Sequence, residues 1–296
     1  MKREYLSSSK INRRGFVLFV VLIMVGVLAP VLFSIYTFSS LNYDRTENFK
    51  NYLKAYHGAV SAVKVALYFL KHDNNNFDGV GDDWYKPIFY NYKGLALSVT
   101  IRDECGKLDV NKLSSPLYYR MAQRLIADLN LDESLVDALK DWVDRDSEVT
   151  GSGAESFYYN SLGYSPTNGP MKSIYELYYL KGISPGLFKK LSKFLTVYGS
   201  GKVNVNSAPK EVLLSLSRDM TETAADSIIE SRPITNIEKL EDLPGIDKEL
   251  YFKIRPFITN RCDYFRVDVV ASYGGSTAEV VAYTDRNKVL EWKVVQ

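Results

Sequence analysis

The chain has 296 residues, 46% hydrophobic and 24% charged, which fits two or three folded units and excludes a disordered chain. Lys plus Arg number 37 against 35 Asp plus Glu, and a net charge of +2 gives no support to a generic nucleic-acid binder. Two Cys exclude a disulfide scaffold and a four-thiolate zinc cluster, and two His (His57, His72) leave little room for a histidine metal site or triad.

The first element is an apolar helix behind a basic leader. Lys2, Arg3, Lys10, Arg13 and Arg14 stand against Glu4, so residues 1–15 carry +4. Residues 16–38 contain no charge. As a helix they span about 34 Å, enough for a hydrocarbon core of about 30 Å. Only Arg45 and Lys50 follow closely, so the positive-inside rule places the N-terminus in the cytoplasm and the bulk of the chain outside. A cleaved secretory signal fits poorly, because the apolar run is too long and lacks a small-x-small site. An uncleaved signal anchor is the plainer alternative.

The junction Arg13-Arg14-Gly15-Phe16-Val17-Leu18 resembles the class III leader of type IV pilins and type II secretion pseudopilins. The resemblance implies cleavage by a prepilin peptidase between Gly15 and Phe16, followed by N-methylation. Most pilins have Glu five residues into the mature chain, where this sequence has Val20. A carboxylate in a bilayer is costly unless paired. In that family its partner is the terminal amine of a neighbouring subunit, which a subunit at the filament tip lacks on one side. Val here is similar to the largest, K-type, minor pseudopilin. Alone, the missing Glu would equally fit a chain that is no pilin.

Beyond the span, Tyr52, Tyr56, Ala59, Val63, Ala66 and Leu70 follow one helical face, so a single helix continues over 39–72. Asp73 to Gly81 ends it. Leu95, Leu97, Val99 and Ile101 alternate as a strand. The next strand signals come only at Phe265–Ala271, Glu279–Tyr283 and Val289–Val294, with turns at Gly274-Gly275 and Asp285–Asn287. The expected class is α+β: a pilin-like N-terminal transmembrane helix (16–38) and an α/β domain at 39–105 and 262–296. In that domain the helix covers a four-stranded antiparallel sheet. Residues 106–261 form a helical insertion too long to be a loop. Cys105 and Cys262 bracket it. A disulfide at its base and two separate buried thiols both fit, and thiol titration would decide between them.

The insertion repeats itself. Gly106-Lys107-Leu108-Asp109-Val110-Asn111 recurs as Gly201-Lys202-Val203-Asn204-Val205-Asn206, and Ile174, Leu177, Leu180, Gly182, Ile183 recur as Ile237, Leu240, Leu243, Gly245, Ile246. The compact second copy resembles a SAM-like or helix-hairpin-helix unit. Residues 202–260 hold eight basic and ten acidic residues, a poor surface for phosphate. The repeat therefore reads as a packing scaffold.

The longer first copy carries an acidic stretch over 141–170. Asp141, Asp144, Asp146 and Glu155 lie around Gly151-Ser152-Gly153, and an all-oxygen donor set on a flexible loop suits calcium. Composition alone favours a solvated acidic loop somewhat over a metal site. Asp141-Trp142-x-Asp144-x-Asp146, then Gly153-Ala154-Glu155, then Tyr164 to Pro170 resemble the K-type minor pseudopilins of type II secretion, apart from Met171 where that pattern has Phe. The resemblance implies calcium at Asp141, Asp144, Asp146 and Glu155, with Asn168 a weaker candidate. It also implies a structural, non-enzymatic subunit at the tip of a periplasmic pseudopilus. Its partners would be the I- and J-type minor pseudopilins, the major pseudopilin, the prepilin peptidase and the inner membrane, with secreted substrate or the outer-membrane channel beyond them. No nucleic acid is expected. Hydrolase, Walker and dinucleotide motifs are absent from the sequence. A membrane-anchored helix-hairpin-helix DNA receptor and an anchored surface hydrolase are the alternative classes.

Overall fold

The computed structural model describes residues 13–295, so most of the leader lies outside the described residues. Helix α1 (Arg13–Lys71) runs unbroken for 59 residues, about 88 Å. Its first half holds the charge-free stretch, long and apolar enough to cross a membrane and left exposed by the other described residues. Pro30 removes one N–H from the ladder, leaving the Gly26 carbonyl without its usual donor. The second half buries Ala59, Val63, Ala66 and Leu70 as the spacing predicts; Tyr52 and Tyr56 on that face are half-buried, and Ala55 is buried beside them. Small residues on three of these turns let the sheet approach closely.

The sheet has five strands, in the order β1 (Ile88–Tyr92), β2 (Leu95–Asp103), β7 (Tyr264–Tyr273), β8 (Ser276–Asp285), β9 (Val289–Val295), all antiparallel. This corrects the four-stranded expectation: the added strand is β1, Ile-Phe-Tyr-Asn-Tyr. It lies at the edge with Phe89 77% exposed, so no core imposes a period-two pattern on it. Its hairpin turn is Lys93-Gly94, with φ of 49° and 81°, the left-handed pair a two-residue connection requires. In β7, Phe265, Val267, Val269 and Ala271 point onto α1, as their alternation demands.

Between β2 and β7 the chain leaves the sheet and returns. The excursion holds the two-residue strands β3 (Leu108–Asp109), β4 (Leu195–Thr196), β5 (Val203–Asn204) and β6 (Ile258–Thr259). Its helices are α2 (Pro116–Asp128), α3 (Ser134–Val143), α4 (Ser156–Ser161), α5 (Pro185–Leu191), α6 (Lys210–Ser215), α7 (Glu222–Glu230) and α8 (Lys248–Ile254). The duplication is structural as well as sequential. β3 pairs in parallel with β4 through Leu108 and Leu195, and β5 with β6 through Val203 and Ile258. Asn111 grips the backbone of Met171, accepting its N–H (2.7 Å) and donating to its carbonyl (3.0 Å). Asn206 grips Ile234 in the same way, at 2.7 and 3.1 Å. Each clamp ties the first segment of a copy to its later half. In the first copy the chain between α3 and the clamped residue is the long acidic loop; in the second it is the short turn Ser231-Arg232-Pro233.

The second copy is fastened to the sheet by a buried polar seam. Asn204 donates to the Asp103 carboxylate (2.8 Å) and to the Asp78 carbonyl (2.9 Å), and Ser207 donates to Asp103 (2.7 Å). Cys105 and Cys262 are bonded beside it, Cα atoms 5.6 Å apart, closing the excursion at its base.

Candidate metal centre

Helix α3 and the loop after it build the site. Asp137 and Asp141 lie one turn apart on α3, and Asp144 follows directly after its end. The loop folds back over them. Thr150 N–H donates to both oxygens of Asp141 (3.0 and 3.2 Å), and Ser152 N–H donates to Asp137 (2.8 Å). Lys181 holds the far side through the carbonyls of Ser152 and Gly153, at 3.0 and 3.1 Å. A Cβ at Gly153 would collide with the Asp141 carboxylate and the Asp137 carbonyl, so close packing requires glycine there.

This fold-back brings Asp144, Asp146 and Glu155 together, one oxygen of each within 4.8 Å of the others. Asp141 stands outside that trio: the structure uses it to anchor Thr150, not to face the cluster. Asn168, at a positive φ of 43°, donates its amide N–H to the Asp146 carbonyl (3.1 Å). Both oxygens of Asp144, Oε1 of Glu155 and Oδ1 of Asn168 are buried without a hydrogen-bond partner. Buried oxygens normally find donors, so four orphans at one place mark a charge deficit. The nearest ammonium, Lys140, is 3.8 Å from Asp144 and gives its hydrogen bond to Thr150. Burial, then the Asp141 and other nearby carboxylates, push the Glu155 carboxyl up to about 7; burial and Asp146 raise Asp144. The donor set is all oxygen, on a loop, with no nitrogen or sulfur, which fits a calcium-sized hard cation. Asp137 escaped the sequence reading; its place one turn before Asp141 on the same helical face was the available signal.

A second acidic cluster, Asp73, Asp78 and Asp82, is answered by the protein itself. Arg286 pairs with Asp78 and lies 3.8 Å from Asp73. Trp84 donates to Asp73, and Gly79 and Asn75 donate to Asp82. The His72 Nδ1–H donates to the Tyr68 carbonyl (2.8 Å), and His57 packs edge-on to Tyr56.

Together these features define a pilin-like subunit: a long N-terminal helix with a membrane-length apolar half, laid on an antiparallel sheet, with a duplicated helical insert that carries an acidic loop. The family described as type II secretion system protein K matches residues 106–200, and a helix-hairpin-helix motif matches residues 199–259. A type II secretion system protein K of Aeromonas hydrophila is 25% identical, covering 93% of each chain. The protein of that name from Pectobacterium carotovorum subsp. carotovorum is 24% identical over 78% of this chain and 79% of its own. A solved complex of GspK, GspI and GspJ from enterotoxigenic Escherichia coli contains a chain that superposes with a TM-score of 0.71 at 19% identity. It covers 85% of this chain and 99% of its own, a likeness of fold. The chain is thus similar to type II secretion system protein K: the family's model matches its residues 106–200, and a relative of that name aligns along 93% of its length.

Proposed function

We propose that this chain sits at the tip of a type II secretion pseudopilus, where it initiates or caps the fibre during export of folded proteins across the outer membrane. The observation that carries this reading is the excursion between β2 and β7: a large, disulfide-closed insert on a pilin body that otherwise would stack like its neighbours. Such bulk blocks a further subunit above. Val20 supports the same place, since a subunit with no neighbour on one side has no amine to pair a membrane carboxylate. The solved relative is in complex with GspI and GspJ, so the I- and J-type minor pseudopilins are the proposed partners, with the major pseudopilin below.

The leader directs the N-terminus to the cytoplasmic side and the folded body to the periplasm, in the orientation expected from its basic residues. Processing by prepilin peptidase would leave a methylated Phe16. Calcium would be held by Asp144, Asp146 and Glu155, joined by Asn168, with Asp141 and Asp137 shaping the loop. Its role would be structural: it supplies the missing counter-charge and fixes a 27-residue, glycine-containing connection to α3. A DNA-receptor reading has the helix-hairpin-helix match in its favour, but the acidic balance of residues 202–260 opposes it.

The test is the mature N-terminus by mass spectrometry. A chain beginning at N-methylated Phe16 is expected; a chain beginning at Met1 overturns the pseudopilin reading. Co-purification of the processed chain with the I- and J-type subunits, and its absence along the fibre shaft by immunogold labelling, would test the tip position separately.

A further inference from the structure

The sheet edge at β1 has backbone groups left over. β1 pairs with β2 from Ile88 opposite Val99 to Tyr92 opposite Leu95, without a register shift, and the two-residue turn Lys93-Gly94 closes the hairpin. Such a turn makes Tyr92 and Leu95 a hydrogen-bonded pair, and bonded pairs alternate along an antiparallel ladder. Ile88, Tyr90 and Tyr92 therefore bond to β2, while the N–H and C=O of Phe89 and Asn91 point away from the sheet. No backbone group elsewhere among the described residues bonds to either. Proteins protect such an edge with a charge, a proline, a bulge or a covering segment, and within Ile88–Tyr92 none of these occurs.

The same strand overhangs a groove. α1 lies over β2, β7 and β8 and stops short of β1. It comes closest at Gly58, where a Cβ would lie 2.9 Å from the Leu95 side chain. An apolar groove of about 660 Å³ remains between His57, Ser61, Val65 and Phe69 on α1 and Ile88 and Tyr90 on β1. Val65 and Phe69 are 52% and 47% exposed, so the groove is open. Charge around it is one-sided. Residues 48–72 and 84–102, which supply both walls, contain no acid. At one end Lys93 lies 5.2 Å over the Tyr92 ring, and Lys54 lies 4.3 Å over Tyr273, which pairs with Leu95. Lys54 gives its hydrogen bond to the Tyr273 hydroxyl, and neither ammonium meets a carboxylate among the described residues. At the other end Lys86 already has Asp83 at 3.8 Å.

We infer that the β1 edge and the groove beside it receive an extended segment of a different protein as a sixth strand, with large apolar side chains at alternate positions and a carboxylate at the Lys93 end. The backbone groups of Phe89 and Asn91 hold the segment, and every second side chain turns into the groove. The carboxylate meets Lys93 and Lys54, which fixes register more than affinity because that end is solvent-exposed. A second copy of this chain fits worse. Antiparallel pairing of two copies along β1 turns one α1 against the other, so both apolar halves could not enter one membrane from the same side. A helix would fill the groove but leave the four edge groups unanswered.

The experiment uses the full chain in detergent micelles and amide hydrogen exchange read by mass spectrometry at single-residue resolution. The probe is the capped peptide Asp-Thr-Val-Thr-Val-Thr-Val-Thr-Asp at millimolar concentration. Exchange at the Phe89 and Asn91 amides should slow at least tenfold, while Tyr90, already in the ladder, changes little. The same peptide N-methylated through its core keeps its side chains and should protect neither amide. Replacing both Asp by Asn, or making Lys54→Ala with Lys93→Asn, should raise the concentration for half protection at least fivefold. Asn91→Pro removes an outward N–H and no ladder bond, and should abolish protection at Phe89. Unchanged thermal melts verify that the variants fold, and the peptide controls stand without them. No protection at millimolar peptide, protection that survives N-methylation, or equal protection by the Asp and Asn peptides overturns the proposal. So does protection of both amides without peptide that grows with protein concentration, since that assigns the edge to a second copy.

Discussion

Asp103→Asn should weaken the pH dependence of stability. Asp103 ends β2 inside the seam between sheet and insert, 5% exposed. One oxygen accepts from Asn204 and Ser207; the other has no partner. Burial, opposed by those two hydrogen bonds and reinforced by the nearby Asp78 and Glu104, pushes its carboxyl from 3.8 up to about 6. Arg232, itself depressed by burial, is the cation that feels Asp103. The native state then binds the proton more tightly than the unfolded chain does. The sign follows: stability is highest below about pH 4, falls as pH rises through the window from about 4 to 6, and stays lowered above it. Two units correspond to about 3 kcal/mol, an upper bound for this one group. The cost of placing the added amide N–H is independent of pH, so the informative quantity is a difference between two pH values. Stability relative to wild type should improve by up to about 3 kcal/mol between pH 4 and pH 7.5. Asp82 and Asp109, also raised to about 6 by burial, add the same slope to both proteins and cancel. Urea unfolding of the detergent-solubilised chain, disulfide intact and calcium absent, reads it. An identical offset at both pH values would refute the assignment of a buried, titrating Asp103.

Calcium in 100-fold excess over its dissociation constant should stabilise the fold by about 2.7 kcal/mol, and Asp144→Asn with Glu155→Gln should abolish the gain. Isothermal titration without heat at millimolar calcium would remove the site. Replacing Cys105 and Cys262 by Ala opens a loop of sequence separation 157 and should cost up to about 5 kcal/mol by chain entropy, read by urea unfolding; no change would show that the bond does not form. Asn206→Ala leaves the buried Ile234 N–H unpaired and its carbonyl with only the long contact from Asn260 (3.4 Å), and should cost about 1–3 kcal/mol; Asn111→Ala removes both partners of the Met171 backbone and should cost about 2–4 kcal/mol. Equal melting temperatures for wild type and Asn206→Ala would contradict the clamp.

Much of this protein follows from local pattern. A charge-free run of membrane length, a helical face at Ala59, Val63, Ala66 and Leu70, and alternation at Phe265 to Ala271 each report burial on one element, so each is legible without the fold. The duplication is equally visible, because Asn111 and Asn206 repeat with their neighbours, and the structure gives the reason: each Asn closes its copy on a distant backbone. Edge strand β1 was hidden, since neither face is buried enough to impose alternation. The division of labour among the acids was hidden too. Asp141, Asp144, Asp146 and Glu155 look alike along the chain, and only the fold-back decides that Thr150 claims Asp141 while the other three converge. The bond between Cys105 and Cys262 likewise depends on the distance between residues far apart in sequence. The sequence by itself determined which segments are buried and that they repeat, because burial leaves a periodic trace. Tertiary structure alone decided which polar groups meet, because a hydrogen bond or a shared cation depends on ångström-scale placement that no periodicity encodes.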